Sequence, residues 1–264
     1  MKPVYIGRTA PCSAACPAGE DIPHIEHLAF QGQFREALET ILKENPFPSV
    51  CGHVCFHPCE SVCNRSHLDA ALAINALERF VGCWGIREKR LPSIPTAPAN
   101  GRHVAVIGSG PSGLSAAYFF CRLGYRCDVY ESEKEPGGLL RWGIPAYRLP
   151  TAILKHEIER IEDLGVQIYC GRKVSASFLE TATQRYHAIF VGCGRSRPIR
   201  MQITGDVEAM DGLTFLKDNR DGNKGAFRGV SAVIGGGNTA IDVARSLVRL
   251  GSHSIILYRR RIED

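Results

Sequence analysis

The sequence has 264 residues, of which 44% are hydrophobic and 22% charged, an ordinary balance for a soluble globular protein that excludes a disordered tail or a coiled coil. No continuous apolar run approaches the roughly 18 residues of a membrane helix, and residues 1–12 lack the apolar core of a secretory signal, so a cytoplasmic protein without membrane insertion is expected. The net charge of +5 is mild, and the basic residues are scattered apart from Arg259, Arg260 and Arg261; with no reader motif present, a nucleic-acid role is not expected.

Six of the eleven cysteines fall within the first 63 residues, and the odd total argues against a complete disulfide framework. The chain opens on helical texture. Asp21 followed by Pro23 predicts a helix start, and Ile25, Leu28 and Ala29, then Ala37, Leu38, Ile41 and Leu42, keep helical spacing around a break near Gly32. The run stops at residues 45–48. A cysteine-rich loop is expected over 51–63, followed after Asp69 by a helix carrying Leu72, Leu77, Phe80 and Val81.

The cysteine spacing is Cys12-x3-Cys16 and Cys51-x3-Cys55-x3-Cys59-x3-Cys63. Thiolates hold iron–sulfur clusters, and Pro17, Gly52 and Pro58 would break helix so that sulfurs on loops can surround a cluster. Structural zinc or plain buried thiols is the alternative reading of the same spacing. Cys83, Cys121, Cys127, Cys170 and Cys193 lack ligand spacing and read as packing residues. His53 and His57 read as surface or hydrogen-bonded histidines.

Residues 91–100, LPSIPTAPAN, hold three prolines and no strong periodicity, as a linker would. Beyond it strands and helices alternate: a strand at 104–107, a helix at about 112–123 and a strand at 127–130, then the same series at 232–234, 239–250 and 254–258. Gly108 overlays Gly235, and Gly124 overlays Gly251. Between these two βαβ units a helix is expected at 151–164 and a strand at 188–191.

In the first unit Gly108-Ser109-Gly110-Pro111-Ser112-Gly113 follows a strand and opens a helix, and Glu131 lies 23 residues after Gly108. The first glycine makes the tight turn, the second lets backbone approach a pyrophosphate, the third lets helix and strand pack closely, and Glu131 can accept ribose hydroxyls. In the second unit Gly235-Gly236-Gly237-Asn238-Thr239-Ala240 places alanine at the packing position. Arginines Arg259, Arg260 and Arg261 stand where the acid would be, which suits a 2′-phosphate and so favours NADPH over NADH; a solvated basic strand end is the alternative. No Ser-His-Asp set, H-E-x-x-H or C-x4-C pair is visible, against a hydrolase or disulfide reductase.

Over most of its length the chain resembles the family that includes the glutamate synthase small subunit, the N-terminal part of dihydropyrimidine dehydrogenase and the large subunit of NADH-dependent ferredoxin:NADP oxidoreductase. The matching stretches are residues 11–17 with Asp21 and Ile22, residues 51–63, 74–80, 106–113, 137–145 with 148–150, and 235–245. The resemblance implies an α/β protein: an all-α iron–sulfur domain (1–95), a Rossmann-like FAD-binding domain (101–228) and the first βαβ of a Rossmann-like NAD(P)H-binding domain (229–264). It implies one [4Fe–4S] cluster on Cys16, Cys55, Cys59 and Glu78. Cys12 and Cys63 match ligands of a second cluster, which stays open because the family's upstream C-x2-C is absent here; Cys51 is a candidate recruit. By resemblance FAD meets Ser109, Gly110, Gly113, Glu131, Gly138, Leu139, Arg148 and Val174, and NADPH meets Gly236, Gly237, Asn238, Thr239 and Arg260, with Arg259 beside it.

The function implied is an oxidoreductase module that passes electrons from NADPH through FAD to [4Fe–4S] and on to a partner protein or larger subunit, with no side-chain catalyst. The alternative is a non-catalytic electron-carrier or scaffold subunit. Family members continue beyond the position of Asp264, so a fragment, or a second polypeptide completing the FAD and NAD(P)H domains, is expected.

Overall fold

A computed structural model describes residues 9–88, 94–195, 209–220 and 226–259. The elements run α1 (Pro11–Ala15), α2 (Ile22–Phe30), α3 (Phe34–Glu44), α4 (Pro48–Val54), α5 (Pro58–Ser61), a 3-10 turn (Asn64–His67) and α6 (Ile74–Glu88). There follow β1 (His103–Ile107), α7 (Pro111–Arg122), β2 (Arg126–Tyr130), α8 (Leu139–Trp142), α9 (Thr151–Glu162), β3 (Gln167–Tyr169), α10 (Ala176–Arg185) and β4 (Ala188–Val191). The last described elements are α11 (Gly212–Asn219), β5 (Val230–Ile234), α12 (Asn238–Arg249) and β6 (His253–Leu257). Two compact units result. One joins the described residues up to His103 with Ser115–Cys127 and Ala152–Val166; the other joins Val104–Leu114, Asp128–Thr151 and the described residues from Gln167 onward.

In the first unit the helical periodicity becomes a core of Ile25, Leu28, Ala29, Ala37, Leu38, Ile41, Leu42 and Val81, each large aliphatic side chain contributing about 1.5–3 kcal/mol when withdrawn from water. Asp21 caps α2, its Oδ1 accepting from the His24 N–H. α4 and α6 pack backbone to backbone: a Cβ on Gly52 would lie 2.4 Å from Arg79 Cα, and one on Gly82 2.7 Å from Ser49 Oγ. Residues 94–100 carry no helix or strand, but the Ala97 and Asn100 N–H groups donate to the carbonyls of Arg122 and Gly124.

Two local expectations change. Residues 51–63 are not one loop, because Pro48 and Pro58 stand in the first turns of α4 and α5, where a missing N–H costs nothing and the fixed φ favours helix. Cys51 is therefore helical, with α4 and α5 separated by residues 55–57 and residues 62–63 outside the helices. Leu72 also precedes α6, which begins at Ile74.

The second unit holds a four-stranded sheet in the order β3-β2-β1-β4. β1 runs parallel to β4 with Val104 opposite Ala188, and β2 parallel to β3 with Asp128 opposite Gln167. Val104, Ala105, Val106 and Val129 are buried, as parallel strands covered on both faces require. β5 and β6 form a second parallel pair, with Val230 opposite His253. The two strand–helix–strand series expected from the sequence are both present.

Candidate functional site: two glycine-rich turns and a cysteine cluster

After β1 the chain turns at Gly108, whose φ of +98° lies in the region open to glycine. A Cβ on Gly113 would sit 1.9 Å from the Gly108 carbonyl oxygen, so no larger residue lets α7 start this close to the strand end. At Gly110 a Cβ would meet nothing within 4 Å, whereas at Gly138 it would lie 2.7 Å from Gly110 Cα. The backbone of residue 138 thus rests on the turn, and an open surface remains at Gly110.

Glu131, at the end of β2, is buried and ties the turn together. Its Oε2 accepts from Ser109 N (2.9 Å) and Ser109 Oγ (2.6 Å), and its Oε1 from Ser132 Oγ (3.1 Å) and Glu133 N (2.8 Å). Burial pushes the Glu131 carboxyl upward, but these donors outweigh it and hold the group below its ordinary value. Two of the four donors are serine hydroxyls, which can rotate away and yield their place to a ribose hydroxyl. Val174 is half-buried on the loop after β3, and that loop is tied to the same strand end by Arg172 N donating to the Glu131 carbonyl (2.7 Å). Leu139 opens α8 and is exposed. Arg148 is committed elsewhere: its Nη1 lies 2.5 Å from Asp242 Oδ2.

The second turn repeats the plan. Gly237 is the N-cap of α12 with no side-chain cap, so the first-turn N–H groups stay open to an anion. A Cβ on Gly236 would strike the Tyr258 ring at 2.6 Å, so the ring lies against the turn only because that residue is glycine. Asn238 and Thr239, which open α12, are exposed, as is Arg259 past the end of β6. Arg260 lies outside the described residues.

In the helical unit Cys12 and Cys16 pack with Cys59, Ile22 and Ile74. Burial and then the neighbouring Cys16 push the Cys59 thiol up to about 11. Burial also raises Cys55, with Glu78 and Cys16 adding to it, and raises Cys12, with Glu26 and Cys63 adding to it. Cys16 thus neighbours both Cys55 and Cys59, Glu78 acts on Cys55, and Cys12 packs with Cys16 and Cys59 while also feeling Cys63. These donors fit an iron–sulfur cluster, since mutually repelling buried thiols and a carboxylate are what a cationic iron core relieves. Burial, followed by the Glu78 charge, raises the Cys51 thiol, and its Sγ contacts Asn45 Oδ1 at 3.7 Å. Asn45 Nδ2 also donates to Glu20 Oε1 (2.8 Å) and Glu78 Oε1 (2.9 Å), fixing Glu78 beside α4. Among the described residues no group of three or more His, Cys, Asp or Glu is close enough to hold a single metal ion.

His53 and His57 make the expected local bonds, to the Ser49 and Cys55 carbonyls. Of the cysteines read as packing residues, Cys121 and Cys127 are buried and Cys193 is exposed, because it lies past the end of β4 rather than within it. Sequence reasoning passed over Glu157 and Asp242. Both are acids on the buried stripe of a helix, beside Leu154, Ile158 and Ile161 in α9 and beside Val243, Ala244 and Leu247 in α12, and a charge at a position that periodicity gives to the core was the available signal.

Parallel sheets with a glycine-rich turn at each strand end define the dinucleotide-binding class of oxidoreductase folds. The chain belongs to the pyridine nucleotide-disulphide oxidoreductase family, which matches residues 102–263. Residues 6–90 match the family described as dihydropyrimidine dehydrogenase domain II, 4Fe-4S cluster. The chain is 38% identical to the NADP(+)-dependent formate dehydrogenase subunit beta of Moorella thermoacetica, covering 96% of this chain and 40% of that one. It is 36% identical to the NADPH-Fe(3+) oxidoreductase subunit beta of Geobacter sulfurreducens, covering 96% of this chain and 39% of that one. It is also 36% identical to the NAD-dependent dihydropyrimidine dehydrogenase subunit PreT of Salmonella typhimurium, covering 95% and 62%. The chain therefore spans between about two fifths and three fifths of these relatives. Among solved structures, FprA from Mycobacterium tuberculosis in complex with NADPH shares the fold at a TM-score of 0.50 and 23% identity, over 62% of this chain and 44% of that one. The expected architecture, an iron–sulfur helical region followed by a dinucleotide-binding oxidoreductase region, is met. Among the described residues no helix is long and apolar enough to cross a membrane.

Proposed function

We propose that this polypeptide is the electron-input module of a cytoplasmic NADPH oxidoreductase, divided at residues 1–95, 101–228 and 229–264 into cluster, flavin and nucleotide regions. Bound FAD would supply hydride acceptance from NADPH and one-electron delivery to a [4Fe–4S] cluster. The chain's own residues bind and orient. Ser109, Gly110, Gly113 and Gly138 form the cradle for the FAD pyrophosphate, Glu131 takes the ribose hydroxyls, and Leu139, Arg148 and Val174 border it. Gly236, Gly237, Asn238 and Thr239 present the open N–H groups of α12 to the NADPH pyrophosphate, and Arg259 and Arg260 pair with the 2′-phosphate. Cys16, Cys55, Cys59 and Glu78 hold the cluster, and Cys12 and Cys63 offer half a ligand set for another. A partner subunit receives the electrons, in keeping with relatives whose names describe them as subunits.

The observation that carries this reading is the pairing of two bare-backbone turns, at Gly110 and Gly237, with the packing of Cys12 and Cys16 against Cys59. Anaerobically purified protein is expected to carry about four iron and four sulfide per chain for one cluster, and NADPH is expected to bleach its FAD faster than NADH does. Zinc in place of iron sinks the cluster assignment. Flavin that NADPH leaves oxidised makes the chain a carrier or scaffold subunit instead.

A further inference from the structure

Arg148 and Tyr147 lie on the turn that follows α8, within the segment given to the flavin, yet both reach α12. Arg148 Nη1 donates to Asp242 Oδ2 at 2.5 Å, and the Tyr147 hydroxyl donates to the Asp242 backbone carbonyl at 3.2 Å. The Asp242 side chain is 4% exposed, so its charge has lost its water and depends on that guanidinium. The guanidinium groups of Arg249 and Arg245, two turns and one turn of helix beyond Asp242, lie over the Tyr147 ring at 4.1 and 4.9 Å from its centroid. A surface ion pair would need none of this. A buried acid on an apolar helix stripe, gripping one residue of a distant loop while the next residue is held by the same helix, makes a latch.

α12 is the helix whose N-terminal turn is open to a pyrophosphate, and Asp242 lies one turn in from Gly237. Resting on the function proposed above, we propose that Asp242 is a positioning residue for hydride delivery. By holding Arg148, it fixes the nucleotide-binding helix to the loop that borders the flavin. The latch acts on alignment rather than on affinity for either dinucleotide, because the Asp242 carboxylate is engaged by Arg148. A displacement on the order of 1 Å between reacting groups costs about a hundredfold in rate.

The test compares wild type, Asp242→Asn and Tyr147→Ala by two readouts. Amide hydrogen exchange on flavin-free, nucleotide-free protein follows the Arg148 and Leu149 N–H groups, both of which donate to the Pro145 carbonyl; faster exchange in both variants is expected. Rapid mixing of the FAD-loaded proteins with NADPH then gives the bleaching rate constant and the half-saturating NADPH concentration. The expected result for Asp242→Asn is a rate constant lower by up to about a hundredfold at unchanged half-saturation, with a smaller fall for Tyr147→Ala. Wild-type exchange at Arg148 and Leu149, or an unaltered bleaching rate constant in either folded variant, overturns the latch. So does a change confined to half-saturation. Should Asp242→Asn fail to fold, Tyr147→Ala alone decides between these outcomes. A wild-type flavin that NADPH does not bleach removes the proposed function and the latch's role together, whereas a bleached wild type with an equally fast variant removes the latch alone.

Discussion

Glu131 shows how one side chain serves both fold and site. Its carboxylate receives four donors from residues 109, 132 and 133, and so holds the first glycine-rich turn against the end of β2 before any ligand arrives. Its pKa in the folded chain lies below the ordinary 4.5, so between the two values the unfolded chain binds more protons than the folded one. The stabilisation is therefore complete above pH 4.5 and is lost as the pH falls through the folded-state value. Glu131→Gln in the cofactor-free protein is expected to cost about 1.5–3 kcal/mol at neutral pH, with the gap to wild type closing in acid. Urea unfolding at a series of pH values checks this, and a gap that stays constant into acid refutes it. The glycine spacing and the acid were legible in the sequence because the motif states its own geometry. That the acid's oxygens are taken up by serine hydroxyls was not, since a loop's hydrogen bonds depend on which neighbours the turn brings within reach.

At the scale of elements, α4 is fixed from a distance. Glu157 of α9 accepts from the N–H groups of Ser49 (2.7 Å) and Val50 (3.1 Å), capping the helix that carries Cys51 and leads into Cys55. Arg160, one turn on, pairs with Glu157 at 3.6 Å and donates to the Pro46 carbonyl. Burial pushes the Glu157 carboxyl upward, and Arg160 with the two N–H donors opposes that. Replacing Glu157 by alanine orphans two buried N–H groups and leaves Arg160 uncompensated, which is expected to cost roughly 3–5 kcal/mol. The measurement is chemical unfolding of the iron-free protein; a loss under about 1 kcal/mol, the range of an exposed pair, would reduce Glu157 to a bystander. The helices themselves were readable, because apolar residues at 25, 28, 29, 37, 38, 41 and 42 can share one face only on a helix. Pro48 and Pro58 misled, since proline breaks a helix interior and favours a first turn, and which it does depends on where the helix begins.

The whole molecule divides into a helical unit that holds the six N-terminal cysteines and a sheet-containing unit that holds both glycine-rich turns. Two cores with separate ligands are expected to unfold in two calorimetric transitions. Removing iron with a chelator should lower one and spare the other, while FAD at a hundred times its Kd should raise the second by the equivalent of about 2.7 kcal/mol. A single transition that shifts with both treatments would mean that the units unfold as one. The compact units cut across chain order, drawing the segments around α9 and the end of α7 in with the N-terminal helices. By itself the sequence determined the repeated βαβ units, the glycine turns and the clustered thiols, because each is written in local spacing that one strand, one helix or one turn can satisfy. Only the tertiary structure decided that Glu157 caps α4, that Asn45 holds Glu78, and that Arg148 closes on Asp242. Those pairings join residues 108, 33 and 94 positions apart in the chain, and what sets them is the close approach of helices at glycines 52 and 82 and the need of each buried charge for a partner.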